Sequence, residues 1–261
     1  MQGAPQTLAV IFSTMCTIAI LLDVVVGAPL VVAANRDEIY ARPTRPPEPL
    51  GAHLAGGVDV LSGGTWLAIH AAGRFAAVTN QRAMAQVAPG LRSRGLAVRE
   101  LAGAAEPEAY VAALDPTAYA SMNLVWGDAH GVAIAYARRE GSLEVERLAR
   151  GIHVLCNDRL GADGFPRGAR LHDAIANAPL TWPAVVPALQ QALADHTRVS
   201  PPPSHLPDEL ARELTATCIH TPAYGTRSAT IFAARPDQTV AYLHADGPPC
   251  TAPFVDRLGL L

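Results

Sequence analysis

Four short polar words stand at the ends of apolar runs. Asn35-Arg36-Asp37-Glu38 follows Val31-Val32-Ala33-Ala34, Asn80 ends Phe75-Ala76-Ala77-Val78-Thr79, Asn157 ends Ile152–Cys156, and Arg227 opens a run to Ala234. Taken singly, each Asn reads as a turn or cap, Arg227 as half of a surface ion pair, and the charged word after Ala34 as a solvated turn. Four of them at strand termini raise a shared cavity as the alternative to these turns. A fifth feature is Met15-Cys16. Translation from Met15 and removal of that methionine would leave Cys16 as the first residue. The fourteen residues before Met15 would then be a misplaced start or a short propeptide.

Other chemistry is excluded by composition. All 20 basic residues are arginine, and there is no lysine. Phosphate loops of the Walker type, Schiff-base lysines and Ser–Lys hydrolases all need that amine. No GxSxG elbow occurs; Ser93 in Gly90-Leu91-Arg92-Ser93-Arg94-Gly95 is one residue out of register. HExxH, GxGxxG and EF-hand words are also missing. Cys16, Cys156, Cys218 and Cys250 have no CxxC spacing, so they read as mostly reduced thiols in a cytoplasmic protein. His153-x-x-Cys156 and Cys218-x-His220 are each too isolated to read as a metal site, and none is expected.

The elements that must position these residues follow from periodicity. Cys16–Leu22 and Pro29–Ala34 are apolar, β-branched runs joined through Asp23 and Gly27, a buried hairpin. Thr65–His70 and Arg74–Asn80 form a second hairpin around Ala71-Ala72-Gly73. Helical patterns cover Ser93–Ala105 and Pro107–Leu114. Strands return at Asn123–Gly127, Val132–Ala137, Leu143–Leu148 and Ile152–Cys156. Helices resume at Gly168–Asn177 and Pro183–Asp195, the latter capped by Thr181. A Pro-rich loop at Ser200–Pro207, a helix at Asp208–Thr215 and strands at Ala229–Ala234 and Val240–His244 complete the pattern. Paired strands alternating with paired helices predict two packed sheets covered by helices, in one domain.

The chain has 261 residues, 50% hydrophobic and 16% charged, with formal net charge −3. That supports a large core and offers no polyanion-binding surface, so no nucleic-acid partner is expected. Met1–Leu22 is uncharged, but the first basic residue is Arg36 and several Thr, Ser and Gln interrupt the run. Neither a secretory signal nor a stable membrane insertion is expected.

The words Met15-Cys16-Thr17, VVAANRDE (31–38), RPT (42–44), GGTWLAI (63–69), GRFAAVTN (73–80), SRG (93–95), NLVWGD (123–128), GIHVLCN (151–157) and YGTRSAT (224–230) occur in this order. Together they resemble the NRDE family, also called the Transport and Golgi organisation 2 family, over nearly the whole chain. That family normally starts Met-Cys, so residues 1–15 are read as a leader or misassigned start and 16–261 as the domain.

The resemblance extends in layout to cysteine N-terminal nucleophile hydrolases and implies an α+β, four-layer αββα sandwich. On it, an N-terminal Cys16 would supply both a thiol and an α-amine with a pKa of about 8. The thiol would attack an amide carbonyl and form a thioester. Asp37 would hold the amine. Asn157 and the backbone N–H of Asn80 would stabilise the oxyanion, at roughly 3 kcal/mol per donor. Arg36 or Arg227 would favour the thiolate. Adjacent strand residues face opposite ways, so Arg36 and Asp37 are not expected to share a pocket, and Arg227 is the expected cation. Asn35, Arg36, Glu38 and Trp66 are the expected substrate contacts. The substrate would be a small or acylated amide, with no cofactor. Because members of the family have been proposed to move haem, a non-catalytic haem-handling protein is the alternative, with haem as the bound partner.

Overall fold

The computed structural model describes residues 16–81 and 90–261. The expectation for residues 1–15 falls outside them. Thirteen described strands form two antiparallel sheets. Strands β1 (Thr17–Leu22), β2 (Leu30–Ile39), β10 (Gly151–Leu155), β11 (Tyr224–Arg235), β12 (Gln238–Ala245) and β13 (Val255–Asp256) make a six-stranded sheet ordered β10-β1-β2-β11-β12-β13. The other sheet is a meander, β3 (Thr44–Gly51), β4 (Leu54–Asp59), β5 (Leu67–His70), β6 (Phe75–Asn80), β7 (Met122–Asp128), β8 (Gly131–Ala137) and β9 (Leu143–Arg147), in chain order.

The two sheets pack face to face because their strands are apolar on both sides. In β1, Ile18, Ile20 and Leu22 enter the core between the sheets, together with Leu30, Val32 and Ala34 of β2. Ala19, Leu21, Val31 and Ala33 point the other way, onto Leu171 and Ile175 of α3 (Pro166–Ala176) and Leu189 and Leu193 of α4 (Val186–Leu193). The meander sheet is covered in the same manner. Ala68, Ala76, Leu124 and Ala133 pack under Ala97, Val98 and Leu101 of α1 (Arg94–Gly103) and Val111 of α2 (Pro107–Ala112). A strand buried on both faces reads as a continuous hydrophobic run, as β1 does. The result is the expected four-layer αββα sandwich. A last helix, α5 (Asp208–Glu213), lies in the connection from α4 to β11.

Three local expectations are corrected. Asn35-Arg36-Asp37-Glu38 is not a solvated turn: β2 runs through it to Ile39, and all four side chains are buried. Its partner β11 begins at Tyr224 rather than near Arg227, and the two strands stay paired from Tyr224–Ile39 to Ala234–Leu30. Thr181 does not cap α4, whose N-cap is Val185 with no side-chain cap bond. Strands β3 and β4 had no sequence expectation; their Pro- and Gly-rich runs hide the alternation. No described helix is long and apolar enough to cross a membrane.

Candidate active site

Hairpin register fixes the first half of the site. Thr17 pairs with Asn35, which sets Cys16 beside Arg36 at the same end of the β1–β2 ladder. Cys16 continues the inner face of Ile18 and Ile20, and it lines a cavity of about 380 Å³ at the mouth between the sheets. Arg36, Asp37, Glu38, Trp66, Asn80 and Arg94 line it as well.

Alternation along β2 then sorts the polar word onto two faces. Arg36 and Glu38 share the face of Ala34. The Arg36 guanidinium donates to Thr44 Oγ1 at 3.1 Å, stands 3.6 Å from Glu38 Oε2, and stacks over Trp66, 4.4 Å from the ring centroid. Asn35 and Asp37 point toward the helical layer. Asn35 donates from Nδ2 to the carbonyl oxygens of Leu193 and Thr217, at 2.8 and 2.9 Å. Asp37 Oδ1 accepts from the Thr226 hydroxyl at 2.6 Å, and that hydroxyl accepts from the Ile219 N–H at 2.9 Å. Asp37 Oδ2 is buried without a hydrogen-bond partner among the described residues.

These surroundings set the protonation chemistry. Burial pushes the Cys16 thiol up to about 12, the Asp37 charge adding to the effect, while the Asp37 backbone N–H and the Arg36 charge pull it back. Burial also holds the Asp37 carboxyl at about 7, against the opposing pull of Arg167, the Thr226 hydroxyl and Arg36. Arg94 feels the Cys16 charge too, although burial lowers its own pKa to about 10. With Cys16 inside a longer chain, the site therefore favours a neutral thiol.

The other expected residues divide. Asn80 lines the cavity. The Asn157 carboxamide is instead a strut, donating to the Asn80 carbonyl at 2.8 Å and accepting from Arg167 Nη2 at 3.0 Å. Arg227 does not face Cys16. It sits at the bulge between Thr226 and Ser228, and its guanidinium donates to the carbonyl oxygens of Ile39, Tyr40 and Arg42. Arg36 lines the cavity, whereas Arg227, the expected cation, is held on the loop after β2. Arg36 and Asp37 both line the cavity with Cys16, although the two side chains face apart along β2.

Residues missed at the sequence level complete the frame. Arg167, 1% exposed, enters from α3 and places Nη1 4.0 Å from Asp37 Oδ2. It occupies the stripe that continues through Leu171 and Ile175, so a charge on an apolar helical face was the available signal. Arg94 is delivered by a close backbone contact: a Cβ on Gly64 would lie 2.3 Å from the Gly95 carbonyl carbon, and Thr65 N–H donates to Gly95 O at 3.0 Å. Buried Asn123 donates to Thr79 Oγ1 at 2.9 Å and to Asp158 O at 2.8 Å, while Thr79 donates to Cys156 O at 2.7 Å. These bonds tie the two sheets together behind Asn80.

Elsewhere the fold overturns the isolation of Cys218-x-His220, gathering His196 and Cys250 beside that pair. All four described cysteines are free.

Known proteins align with this architecture. Transport and Golgi organization protein 2 homolog of Bos taurus is 28% identical over 234 residues, covering 82% of this chain and 84% of its own length. The Homo sapiens homolog is 27% identical over 235 residues with the same coverage. Among solved structures, a variant of conjugated bile acid hydrolase from Clostridium perfringens superposes with a TM-score of 0.53 at 13% identity, covering 92% of each chain. That likeness establishes the fold, a four-layer αββα sandwich. The sequence profile of Transport and Golgi organisation 2 matches residues 15–246, and this chain belongs to that family.

Proposed function

We propose that this protein is an N-terminal cysteine amidohydrolase acting on a small or acylated amide, with Cys16 as the mature first residue. The observation that carries it is the placement of Cys16: just before β1, lining a cavity with Asp37, Asn80 and four arginines, Arg36, Arg42, Arg92 and Arg94. Release of residues 1–15 supplies what the pocket lacks, a free α-amine beside the thiol. Asp37 Oδ2 is an acceptor for it. The thiol passes its proton to the neutral amine as sulfur attacks the amide carbon. The amine then protonates the departing nitrogen as the C–N bond breaks, leaving a thioester. Water, deprotonated by the same amine, cleaves the thioester, and the thiol is regenerated. Asn80, on the cavity wall, would offer its backbone N–H to the oxyanion, and the Asn157 carboxamide donating to the Asn80 carbonyl supports that role.

Intact mass of the cell-expressed protein, followed by an acyl-amide panel on wild type and Cys16→Ser, tests this. A chain starting at Cys16 with amidase activity lost in the serine variant is expected. A mature chain that keeps residues 1–15 ends the proposal.

Haem handling draws on a different observation, a second cavity of about 650 Å³ beside α3 lined by Ile152, Val154, Leu160, Phe165, His153 and His172. His153 and His172 would hold the haem iron, with Ile152, Val154, Leu160 and Phe165 supplying apolar contact to the ring. Haemin titration followed at the Soret band should shift for wild type and not for a His153→Ala, His172→Ala double variant. An unchanged band with wild type would remove this reading and leave the amidase test untouched.

A further inference from the structure

We propose that His196, Cys218, His220 and Cys250 form a tetrahedral zinc site, distinct from the Cys16 cavity. The four residues come from three irregular segments: the chain after α4, the chain between α5 and β11, and the turn after β12. One ligand atom from each lies within 4.8 Å of all the others.

The separations match a metal-centred tetrahedron. Zinc bonds of about 2.3 Å to sulfur and about 2.0–2.1 Å to nitrogen imply edges of roughly 3.8 Å between two sulfurs and roughly 3.6 Å between sulfur and nitrogen. Cys218 Sγ lies 3.7 Å from Cys250 Sγ and 3.7 Å from His220 Nε2, and His220 Nε2 lies 3.3 Å from Cys250 Sγ. The His196 ring lies 4.9 Å from that of His220, centroid to centroid. Its Nδ1 is 3.0 Å from the Cys218 carbonyl oxygen. A carbonyl only accepts, so Nδ1 carries the proton and Nε2 keeps its lone pair. That tautomer is the one a metal-ligating histidine adopts when its other nitrogen donates to a backbone carbonyl.

Donor chemistry narrows the occupant. Two thiols and two imidazoles, with no carboxylate among the four, select a borderline-soft ion of tetrahedral preference. Converging donors from four directions leave no plane for a macrocycle. Binding would release the two thiol protons to solvent as two zinc–sulfur bonds form, with no change of oxidation state. The site would also brace the active-site frame. Thr217 O receives Asn35, and Ile219 N–H holds the Thr226 hydroxyl that contacts Asp37; both flank Cys218.

The test is zinc content of the full-length chain, purified without a metal-chelating tag under reducing conditions, supplied with zinc and desalted. Close to one zinc per chain is expected. Cobalt in its place should give the visible d–d bands of tetrahedral Co²⁺ together with thiolate-to-cobalt charge transfer. Cys250→Ser and His196→Ala, made separately and checked for wild-type far-UV circular dichroism, should each lose the zinc. Cys16→Ser should retain it. Zinc absent from the wild-type chain would overturn the proposal. So would zinc retained at full stoichiometry in both ligand variants, or a Cys218–Cys250 disulfide in the zinc-supplied, reduced protein.

Discussion

The guanidinium of Arg167 stands 4.0 Å from the carboxylate of Asp37, and both side chains are sealed from solvent. Arg167 is otherwise held by Asn157 Oδ1 at 3.0 Å and by the Leu214 carbonyl at 3.4 Å. It thus joins the helical layer to the residues around Cys16. Above pH 7, where Asp37 is ionised, removing Arg167 strands the buried carboxylate, at a cost of about 3–5 kcal/mol. Arg167→Leu is therefore expected to lower unfolding free energy by that amount in urea titration. Arg167→Lys should recover little, because an ammonium cannot reproduce a fork spanning three acceptors. A loss below about 1 kcal/mol in the leucine variant would show that Arg167 does not hold the frame.

Cys16→Ser keeps the shape of the strand end and changes the nucleophile. Under the amidohydrolase proposal, its turnover of the best acyl amide should fall by about 10³-fold or more, the scale seen when a nucleophile is removed. Stability should hardly move, since one atom is exchanged at a cavity wall. Mass spectrometry of a substrate-quenched wild-type sample should trap an acyl adduct on Cys16. Equal rates for the two proteins would exclude Cys16 from the chemistry.

Arg36 and Arg227 separate electrostatic from structural roles. Arg36 lowers the Cys16 thiol pKa by its charge, whereas Arg227 is bound to three carbonyl oxygens of the loop after β2. Arg36→Gln should therefore raise the thiol pKa and slow its alkylation several-fold at fixed pH, because the reactive thiolate becomes scarcer. Arg227→Gln should leave alkylation unchanged and lower the melting temperature. Equal effects on alkylation would contradict the geometry.

What could be read ahead of the structure follows from how local each signal is. β1 and β2 were legible because a strand buried on both faces is a plain apolar run, and the helices because Leu171, Ile175 and their like recur at helical spacing. Asn35–Glu38 was misread as a turn because buried charges are rare without partners, and its partners lie far away in sequence: Thr226, Arg167 and Trp66. Arg227 was misplaced because a bulge shifts facing by one residue, and alternation carries no mark of it. The His196–Cys250 cluster was invisible for the same reason at larger scale, since three separate loops build it.

His244 and Asp37 oppose one another in the pH dependence of stability. His244 is 1% exposed, with Nδ1 3.0 Å from Thr230 Oγ1, and burial reinforced by the charge of Arg257 lowers its pKa from 6.5 to about 4. Between those values the unfolded imidazole holds a proton that the folded one refuses. Its contribution is complete above 6.5 and is lost as pH falls toward 4. Asp37 runs the other way. Its carboxyl keeps a proton up to about 7 when folded and only to 3.8 when unfolded, so its contribution is lost as pH rises across that interval. The two slopes cancel over most of the shared window. His244→Leu should therefore expose a protein whose urea midpoint falls as pH rises from about 4.5 to about 6.5, and Asp37→Asn one whose midpoint falls as pH drops over the same range. Each variant is read against wild type, so that other titrating groups drop out of the difference. Parallel profiles for all three proteins would mean that neither group titrates differently on folding.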